Sequence, residues 1–156
     1  MNIKLIIALG LIVLVIGGIY FWTNQVKTTI EQNNQSAQLL AGSMSHYYTF
    51  TPEAYEQAKE QNKTILLYFY ASWCPICKQE QKDAMIPAFN ELQNNNLIAF
   101  RVHYKDNEAT QSEEELAKQF GITYQHTKVI FKDNEIILND LNSWDKEKYI
   151  TELKNI

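Results

Sequence analysis

The sequence is poor in cysteine and in arginine. Two cysteines, Cys74 and Cys77, and one arginine, Arg101, occur among its 156 residues. A closed structural zinc site takes about four ligands, and the chain has no second cysteine pair to complete one. A chain of this length also buries a core without disulfide staples, which favours a chemical role for the two cysteines. The formal net charge of −4 and the lone arginine leave no basic patch, so we expect no nucleic-acid partner.

Charged residues are missing from residues 5–22, which form an apolar run of 18 residues. A run of about 18 or more apolar residues is long enough to cross a bilayer as a helix. Lys4 precedes the run, and residues 20–22 end it with aromatic side chains, as expected at a membrane interface. We therefore predict that residues 1–22 are a signal-anchor. The protein would contact the membrane through residues 5–22, and its remaining domain would lie on the extracytoplasmic side.

A cleaved signal peptide is the alternative for the same run. The apolar core of a signal peptide usually spans about 7–15 residues and is followed by a small-residue cleavage site. No such site follows residue 22 directly. The small residues Ala41-Gly42-Ser43 lie too far downstream for ordinary cleavage. No cysteine lies directly after the run, where a lipoprotein would carry one, which excludes a lipoprotein. These observations favour an uncleaved anchor.

Residues 23–45 are rich in glutamine, asparagine, serine and threonine. This composition is typical of a polar tether that holds a domain away from a membrane. A partly helical stretch around residues 30–40, or docking of Leu39 and Leu40 on the domain, is the alternative. The globular domain is predicted to span residues 46–156.

Strand and helix patterns alternate in the predicted domain. Short runs rich in β-branched and aromatic residues predict strands at 46–50, 64–70, 97–103, 127–131 and 135–138. The first helix is predicted from Thr51 to about residue 61. The second follows the cysteines to about residue 94, with a kink or break at Pro87. A capping box of Ser112 and Glu115 predicts the start of the third, and Ser143 that of the fourth.

The cysteine pair lies where the strand 64–70 gives way to a helix, in the segment WCPICK of residues 73–78. Cys74 is at or near the N-cap, and Pro75 suits the first helical position, where its missing N–H costs nothing. Cys77 falls one turn later on the same face. Free backbone N–H groups and the helix dipole stabilise a thiolate there, and such thiols have pKa values of about 3.5–7.5. One cysteine can then attack a disulfide and the other resolve the mixed disulfide, although an inert structural disulfide is the alternative.

The segment ASWCPICK, residues 71–78, resembles the active-site segment of thioredoxin-like proteins, and the resemblance extends over residues 46–156. It implies an α/β thioredoxin-like fold, in which helices flank a central mixed sheet. It also implies a redox-active disulfide between Cys74 and Cys77 and no other cofactor. Protein thiols and disulfides would be the substrates, together with an unidentified electron partner.

The same resemblance implies roles for the residues of the motif. Cys74 would be the attacking thiol, and Cys77 would resolve the mixed disulfide. Trp73 would lie beside the site and shape the substrate-docking surface, with a place in the core as the alternative. Pro75 and Ile76 occupy the dipeptide that influences the reduction potential in this family.

One departure from the family is Tyr68. Many cytosolic thioredoxins carry a buried aspartate at this place on the central strand, and it assists proton transfer to the resolving cysteine. Tyrosine has a pKa of about 10 and is a poor base near neutral pH. Water or Glu80 would then handle the proton.

The second departure is His126, which stands where family members usually have a cis-proline, followed here by Thr127. The family's cis-proline loop lies against the cysteines and offers its backbone to a substrate. A cis peptide bond before a residue other than proline costs about 2.5–4 kcal/mol. We therefore predict a trans Gln125–His126 bond, with the imidazole near Cys74, where His126 and Thr127 tune the site or contact substrate.

The leading hypothesis is thus a membrane-anchored thiol–disulfide oxidoreductase outside the cytoplasm, where disulfides persist. The alternative is copper binding by Cys74, Cys77 and His126, since two thiolates and an imidazole suit copper. That set resembles the copper-delivery proteins of cytochrome oxidase assembly, although these usually space their cysteines one residue further apart. A purely structural or adaptor role is the third hypothesis.

Overall fold

The computed structural model describes residues 36–133, 135–154 and 156. The predicted signal-anchor and the first part of the predicted tether, up to residue 35, lie outside the described residues. Within the described part of the chain, no helix has both the length and the apolar character needed to cross a bilayer.

A six-stranded mixed sheet organises the described residues, with the order β1-β2-β4-β3-β5-β6. The strands are β1 (Leu39–Ala41), β2 (His46–Thr49), β3 (Thr64–Tyr70), β4 (Leu97–His103), β5 (Thr127–Lys132) and β6 (Glu135–Asp140). β4 runs parallel to both β2 and β3, whereas β1, β5 and β6 pair antiparallel with their neighbours. This arrangement confirms the predicted mixed sheet.

Helices cover both faces of the sheet. They are α1 (Pro52–Glu60), α2 (Pro75–Glu80), α3 (Ile86–Glu91), α4 (Gln111–Gln119) and α5 (Lys146–Leu153). A π-helical turn, Gln81–Met85, joins α2 to α3. Proline lacks an N–H and its ring collides with the carbonyl four residues earlier, so the wider turn before Pro87 accommodates it. The predicted interruption of this helix at Pro87 is confirmed.

The strand β3 is buried along its whole length and divides the core into two parts. Successive side chains of a strand point to opposite faces. Ile65, Leu67 and Phe69 pack on the side of α1 and α4. Leu66 and Tyr68 pack on the other side, together with both cysteines and with residues from α3 and α5. The cysteine pair therefore lies over the second part of the core.

One strand of the sheet, β1, lies before residue 46, within the segment predicted as a tether. Leu39 of β1 pairs with Tyr48 of β2, which adds an antiparallel edge strand to the sheet. Gly42 makes the connecting turn with a φ of 90°, a conformation that favours glycine. A three-residue strand in a polar stretch carries too weak a periodic signal to be recognised from sequence.

Two predicted helix caps are wrong. Thr110, not Ser112, caps α4, and its hydroxyl and the Glu113 carboxylate form the capping box. Glu113 is preferred because its second oxygen also accepts a hydrogen bond from the backbone N–H of His103, at 2.8 Å. Asp145, not Ser143, caps α5 by accepting the N–H of Lys148 at 2.8 Å.

Candidate active site

Cys74 and Cys77 are joined by a disulfide at the beginning of α2. Cys74 is the N-cap residue, and its sulfur accepts a hydrogen bond from the backbone N–H of Cys77 at 3.2 Å. Pro75 occupies the first turn, as predicted. The same backbone N–H would face a thiolate on Cys74 after reduction, and such a donor favours the charged form of the sulfur.

The disulfide is buried, but its neighbours in the motif are exposed. Cys74 is 2% exposed and Cys77 is 0% exposed, so Cys74 is only slightly the more accessible of the two. Trp73 is 55% exposed and Ile76 is 48% exposed. Trp73 is therefore not a core aromatic, and it forms an apolar surface beside the disulfide together with Ile76.

The loop that precedes the motif is held by Asp106, which follows β4. The Asp106 carboxylate accepts hydrogen bonds from the backbone N–H and, at 2.9 Å, from the hydroxyl of Ser72. Nδ1 of His103 lies 2.9 Å from the same carboxylate. Burial raises the pKa of Asp106, but the hydrogen bonds from Ser72 and His103 outweigh it and hold this pKa well below its usual range. His103, the last residue of β4, therefore helps to hold the loop before the motif.

Tyr68 lies on β3 directly below Cys77. Its side chain is fully buried, and its hydroxyl donates to the backbone carbonyl of Cys77 at 3.4 Å. Burial, and after it the nearby charge of Glu80, raises the pKa of Tyr68. Tyr68 is therefore a neutral hydrogen-bond donor here, which agrees with the expectation that it is a poor base.

Glu80, one turn beyond Cys77, lies at the centre of a buried polar cluster. One carboxylate oxygen accepts hydrogen bonds from Lys128 Nζ at 2.9 Å and from the Tyr149 hydroxyl at 2.7 Å. The other contacts Nε2 of His126. Burial raises the pKa of Glu80, but the bonds from His126 and Lys128 outweigh it and leave this pKa below its ordinary value. Glu80 is therefore ionised near neutral pH.

Lys128 is the cationic side of this cluster and is fully buried. Burial lowers the pKa of Lys128, and the Glu80 carboxylate offsets this in part. Neither Lys128 nor Tyr149 was predicted to be a neighbour of the site. Lys128 pairs with Tyr68 across β5 and β3, and this pairing could have indicated its place beside the site. The pairing depends on the register of the two strands, which the sequence alone does not specify.

The backbone at His126 has the predicted trans bond, and its imidazole is held by Glu80 of α2. The described peptide bonds include no cis bond, so the expected trans Gln125–His126 bond is confirmed. The residue has a φ of 69°, and its N–H donates to the Phe69 carbonyl at 2.6 Å. The imidazole contacts Glu80, and among the described residues no hydrogen bond joins it to either cysteine. Thr127 begins β5, and its hydroxyl donates to the Tyr124 carbonyl at 2.8 Å.

The geometry does not support the copper hypothesis. In residues 36–133, 135–154 and 156, no three side chains of His, Cys, Asp or Glu come together in a way that could hold a metal ion. His126, the proposed third ligand, is engaged with Glu80 instead of completing a set with Cys74 and Cys77.

Comparisons with known proteins agree with this site. The family model described as Thioredoxin matches residues 46–155. Thioredoxin H4 from Arabidopsis thaliana is 36% identical over 85 residues, which are 53% of this chain and 62% of that relative's length. The chain thus spans less than two thirds of this relative.

Solved structures share the fold. The structure of DsbH oxidoreductase gives a TM-score of 0.57 at 20% identity, over 78% of this chain and 90% of that one. A thioredoxin from Thermus thermophilus gives a TM-score of 0.56 at 22% identity, over 71% and 85% of the two chains. These likenesses concern the fold, whereas the family match over most of its length shows that the chain belongs to the thioredoxin family.

Proposed function

We propose that this protein is a membrane-anchored thiol–disulfide oxidoreductase that exchanges electrons with protein thiols and disulfides outside the cytoplasm through Cys74 and Cys77. The observation that carries the chemistry is the Cys74–Cys77 disulfide, whose first sulfur accepts a backbone N–H at the N-cap of α2. A structural disulfide needs no such donor. A redox-active pair benefits from one, because the donor stabilises the thiolate that is the reduced nucleophile.

The exchange proceeds in two steps. In the reduced protein, the Cys74 thiolate attacks one sulfur of a substrate disulfide, that disulfide breaks, and a mixed disulfide forms. The Cys77 thiolate then attacks the Cys74 sulfur and releases the second substrate thiolate, which takes up a proton. Two electrons pass to the substrate, and the protein is left with the Cys74–Cys77 disulfide that the structure contains. The same steps in reverse oxidise a substrate dithiol.

Burial of both sulfurs supports a protein substrate that docks beside them. An approaching disulfide meets the exposed side chains of Trp73 and Ile76 before it reaches the 2% exposed Cys74. Apolar contact of this kind removes water from the exchange and favours a polypeptide over a small hydrophilic thiol.

The anchor and the compartment rest on the sequence alone. Residues 5–22 are apolar and uncharged, and Lys4 precedes them. An excess of positive charge stays on the cytoplasmic side of a membrane, which would put the domain on the other side. That compartment maintains disulfides and so provides substrates for this chemistry.

Trapping of substrates tests the chemistry. The Cys77→Ser variant of the full-length protein should accumulate mixed disulfides, because the resolving thiol is missing. The Cys74→Ser variant is the matched control and should accumulate few. Wild-type protein in detergent should also catalyse the reduction of insulin disulfides by dithiothreitol, and both variants should lose this catalysis. Equal trapping by the two variants would contradict the assigned roles.

Fractionation tests the anchor separately. The full-length chain should stay in the membrane fraction after alkaline extraction and should become protease-accessible from the outside of intact cells. A shortened protein recovered in the soluble fraction would contradict the anchor without affecting the proposed chemistry.

A further inference from the structure

The segment before β5 has three successive backbone carbonyls that each accept a hydrogen bond from a side chain. The Tyr104 hydroxyl donates to Ile122 at 2.8 Å, Lys105 Nζ donates to Thr123 at 3.0 Å, and the Thr127 hydroxyl donates to Tyr124 at 2.8 Å. We call residues 122–126 the facing segment. It holds His126 at its end, and it lies at the end of β3 that leads to the cysteines, because the His126 N–H donates to the Phe69 carbonyl.

Two of the three donors, Tyr104 and Lys105, come from the loop that follows β4. β4 and β5 flank β3 on opposite sides. A contact from this loop to the facing segment therefore crosses over the end of β3. Lys105 makes the crossing with an exposed, four-carbon side chain that lies along the Tyr104 ring, its Nζ 5.1 Å from the ring centroid.

Lys105 also holds the redox motif. Its backbone carbonyl accepts the indole N–H of Trp73 at 2.9 Å. Its own N–H donates to Glu114 of α4 at 3.0 Å, which fixes the residue to the body of the domain. The φ of Lys105 is 49°, a conformation uncommon for residues other than glycine, and the surrounding hydrogen bonds keep it there.

Lys105 thus contacts Trp73 directly and also Thr123, the residue that precedes Tyr124. Trp73 is 55% exposed and Tyr124, in the facing segment, is 64% exposed. We propose that Lys105 is a positioning residue that ties the facing segment to Trp73 and so sets the spacing of Trp73 and Tyr124 for an extended polypeptide substrate. The proposal rests on the proposed oxidoreductase function and concerns its choice of substrate.

The contact replaces a constraint that the chain lacks. With His126 in a trans peptide bond, no proline ring limits the backbone of the facing segment. Hydrogen bonds to the carbonyls of the facing segment limit its backbone instead. The bond from Lys105 also links this segment to the redox motif, because Lys105 contacts Trp73. Without it, Tyr124 would be held less firmly relative to Trp73, and a substrate would have to order the two side chains on binding.

The test compares Lys105→Met with Lys105→Arg in the full-length protein in detergent. Methionine keeps the apolar stem and the backbone carbonyl but removes the donor, whereas arginine keeps a donor. Lys63→Met is the matched control, because Lys63 Nζ donates to the Asn95 carbonyl at 2.8 Å beside the opposite end of β3. The readouts are kcat and KM for insulin and for the small disulfide 5,5′-dithiobis(2-nitrobenzoate).

Lys105→Met should raise KM for insulin by about threefold to tenfold, the effect of one lost hydrogen bond, and leave the small disulfide unchanged within about twofold. Lys105→Arg and Lys63→Met should behave like wild type. An equal loss with both substrates, an unchanged KM for insulin, or a loss in Lys63→Met would overturn the proposal.

A readout that does not depend on catalysis separates this proposal from the function on which it rests. Acrylamide quenching of Trp73 fluorescence, obtained by subtracting a Trp73→Phe spectrum, should increase in Lys105→Met and not in Lys105→Arg. If wild type reduces neither substrate, the oxidoreductase function fails. Unchanged quenching in Lys105→Met would overturn the positioning by Lys105 whether or not the protein is active.

Discussion

Glu80, on the helix that carries Cys77, and Lys128, on β5, form a buried ion pair in which the carboxylate oxygen lies 2.9 Å from Nζ. Lys128 is 0% exposed, and Glu80 is 5% exposed. Removing two charges from water is costly unless they pair and their remaining hydrogen-bonding sites are filled. His126 and Tyr149 fill those of Glu80, so the cluster is complete on the carboxylate side.

Removing the lysine from this pair should destabilise the fold. Lys128→Met leaves the Glu80 carboxylate without its cation, and we expect the free energy of unfolding to fall by about 3 kcal/mol. Glu80→Gln combined with Lys128→Met should cost less than the sum of the two single changes, because the pair is then removed together. Chemical denaturation of the oxidised, full-length protein measures this, with Lys118→Met as an exposed control. Simple additivity would show that the two side chains are not coupled.

Stability should fall in acid partly through Glu80. The pKa of Glu80 is lower in the folded protein than its ordinary value, so the carboxylate contributes stability that is complete above about pH 4.3, the usual pKa of glutamate. This contribution is lost as the pH falls through the folded-state pKa. The difference in unfolding free energy between wild type and Glu80→Gln should therefore shrink below about pH 4.3. A difference for Glu80→Gln that stays constant from neutral to acid pH would contradict this expectation.

Gly42 should tolerate substitution less well than Gly121. Both residues have positive φ, 90° and 63°, so any side chain adds strain. A Cβ on Gly42 would also lie 1.8 Å from the Ser45 carbonyl oxygen, whereas a Cβ on Gly121 would meet no atom within 4 Å. We expect Gly121→Ala to cost about 1 kcal/mol and Gly42→Ala on the order of 3 kcal/mol. Thermal unfolding measures both, and equal costs would argue against a tight β1–β2 turn.

Asp106 should stabilise the loop before the cysteines. Asp106→Ala leaves the Ser72 N–H and the His103 ring without their acceptor, and buried groups without partners cost about 1–3 kcal/mol. Proteolysis of the oxidised protein near Ser72 should become faster, because the loop can then open. Asp83→Ala, which removes an exposed carboxylate, is the control. Unchanged proteolysis near Ser72 would show that Asp106 does not hold the loop.

Local patterns in the sequence were sufficient for much of the fold. The buried strand 64–70 and the helix that begins at Pro75 follow from neighbouring residues alone, as does the interruption at Pro87. Each depends on backbone chemistry within a few residues, namely β-branched side chains or the ring of proline. The trans bond before His126 was also predictable locally, since the free-energy difference between cis and trans depends on one peptide unit.

Competing local signals could not be resolved from the sequence. Thr110 and Ser112 both stand three residues before a glutamate, and only the contact of Glu113 with His103 on β4 decides between them. The edge strand β1 could not be predicted for the same reason, because Leu39 becomes part of a strand only through its pairing with β2.

The sequence by itself determined the chemistry of the two cysteines, because their spacing and their place at a helix start are local. The tertiary structure alone decided what surrounds them. Glu80, His126 and Lys128 meet because α2, the facing segment and β5 pack together, and Lys105 reaches Thr123 because the loop after β4 crosses the end of β3. Burial and contact across elements depend on strand order and register, and no short stretch of sequence contains that information.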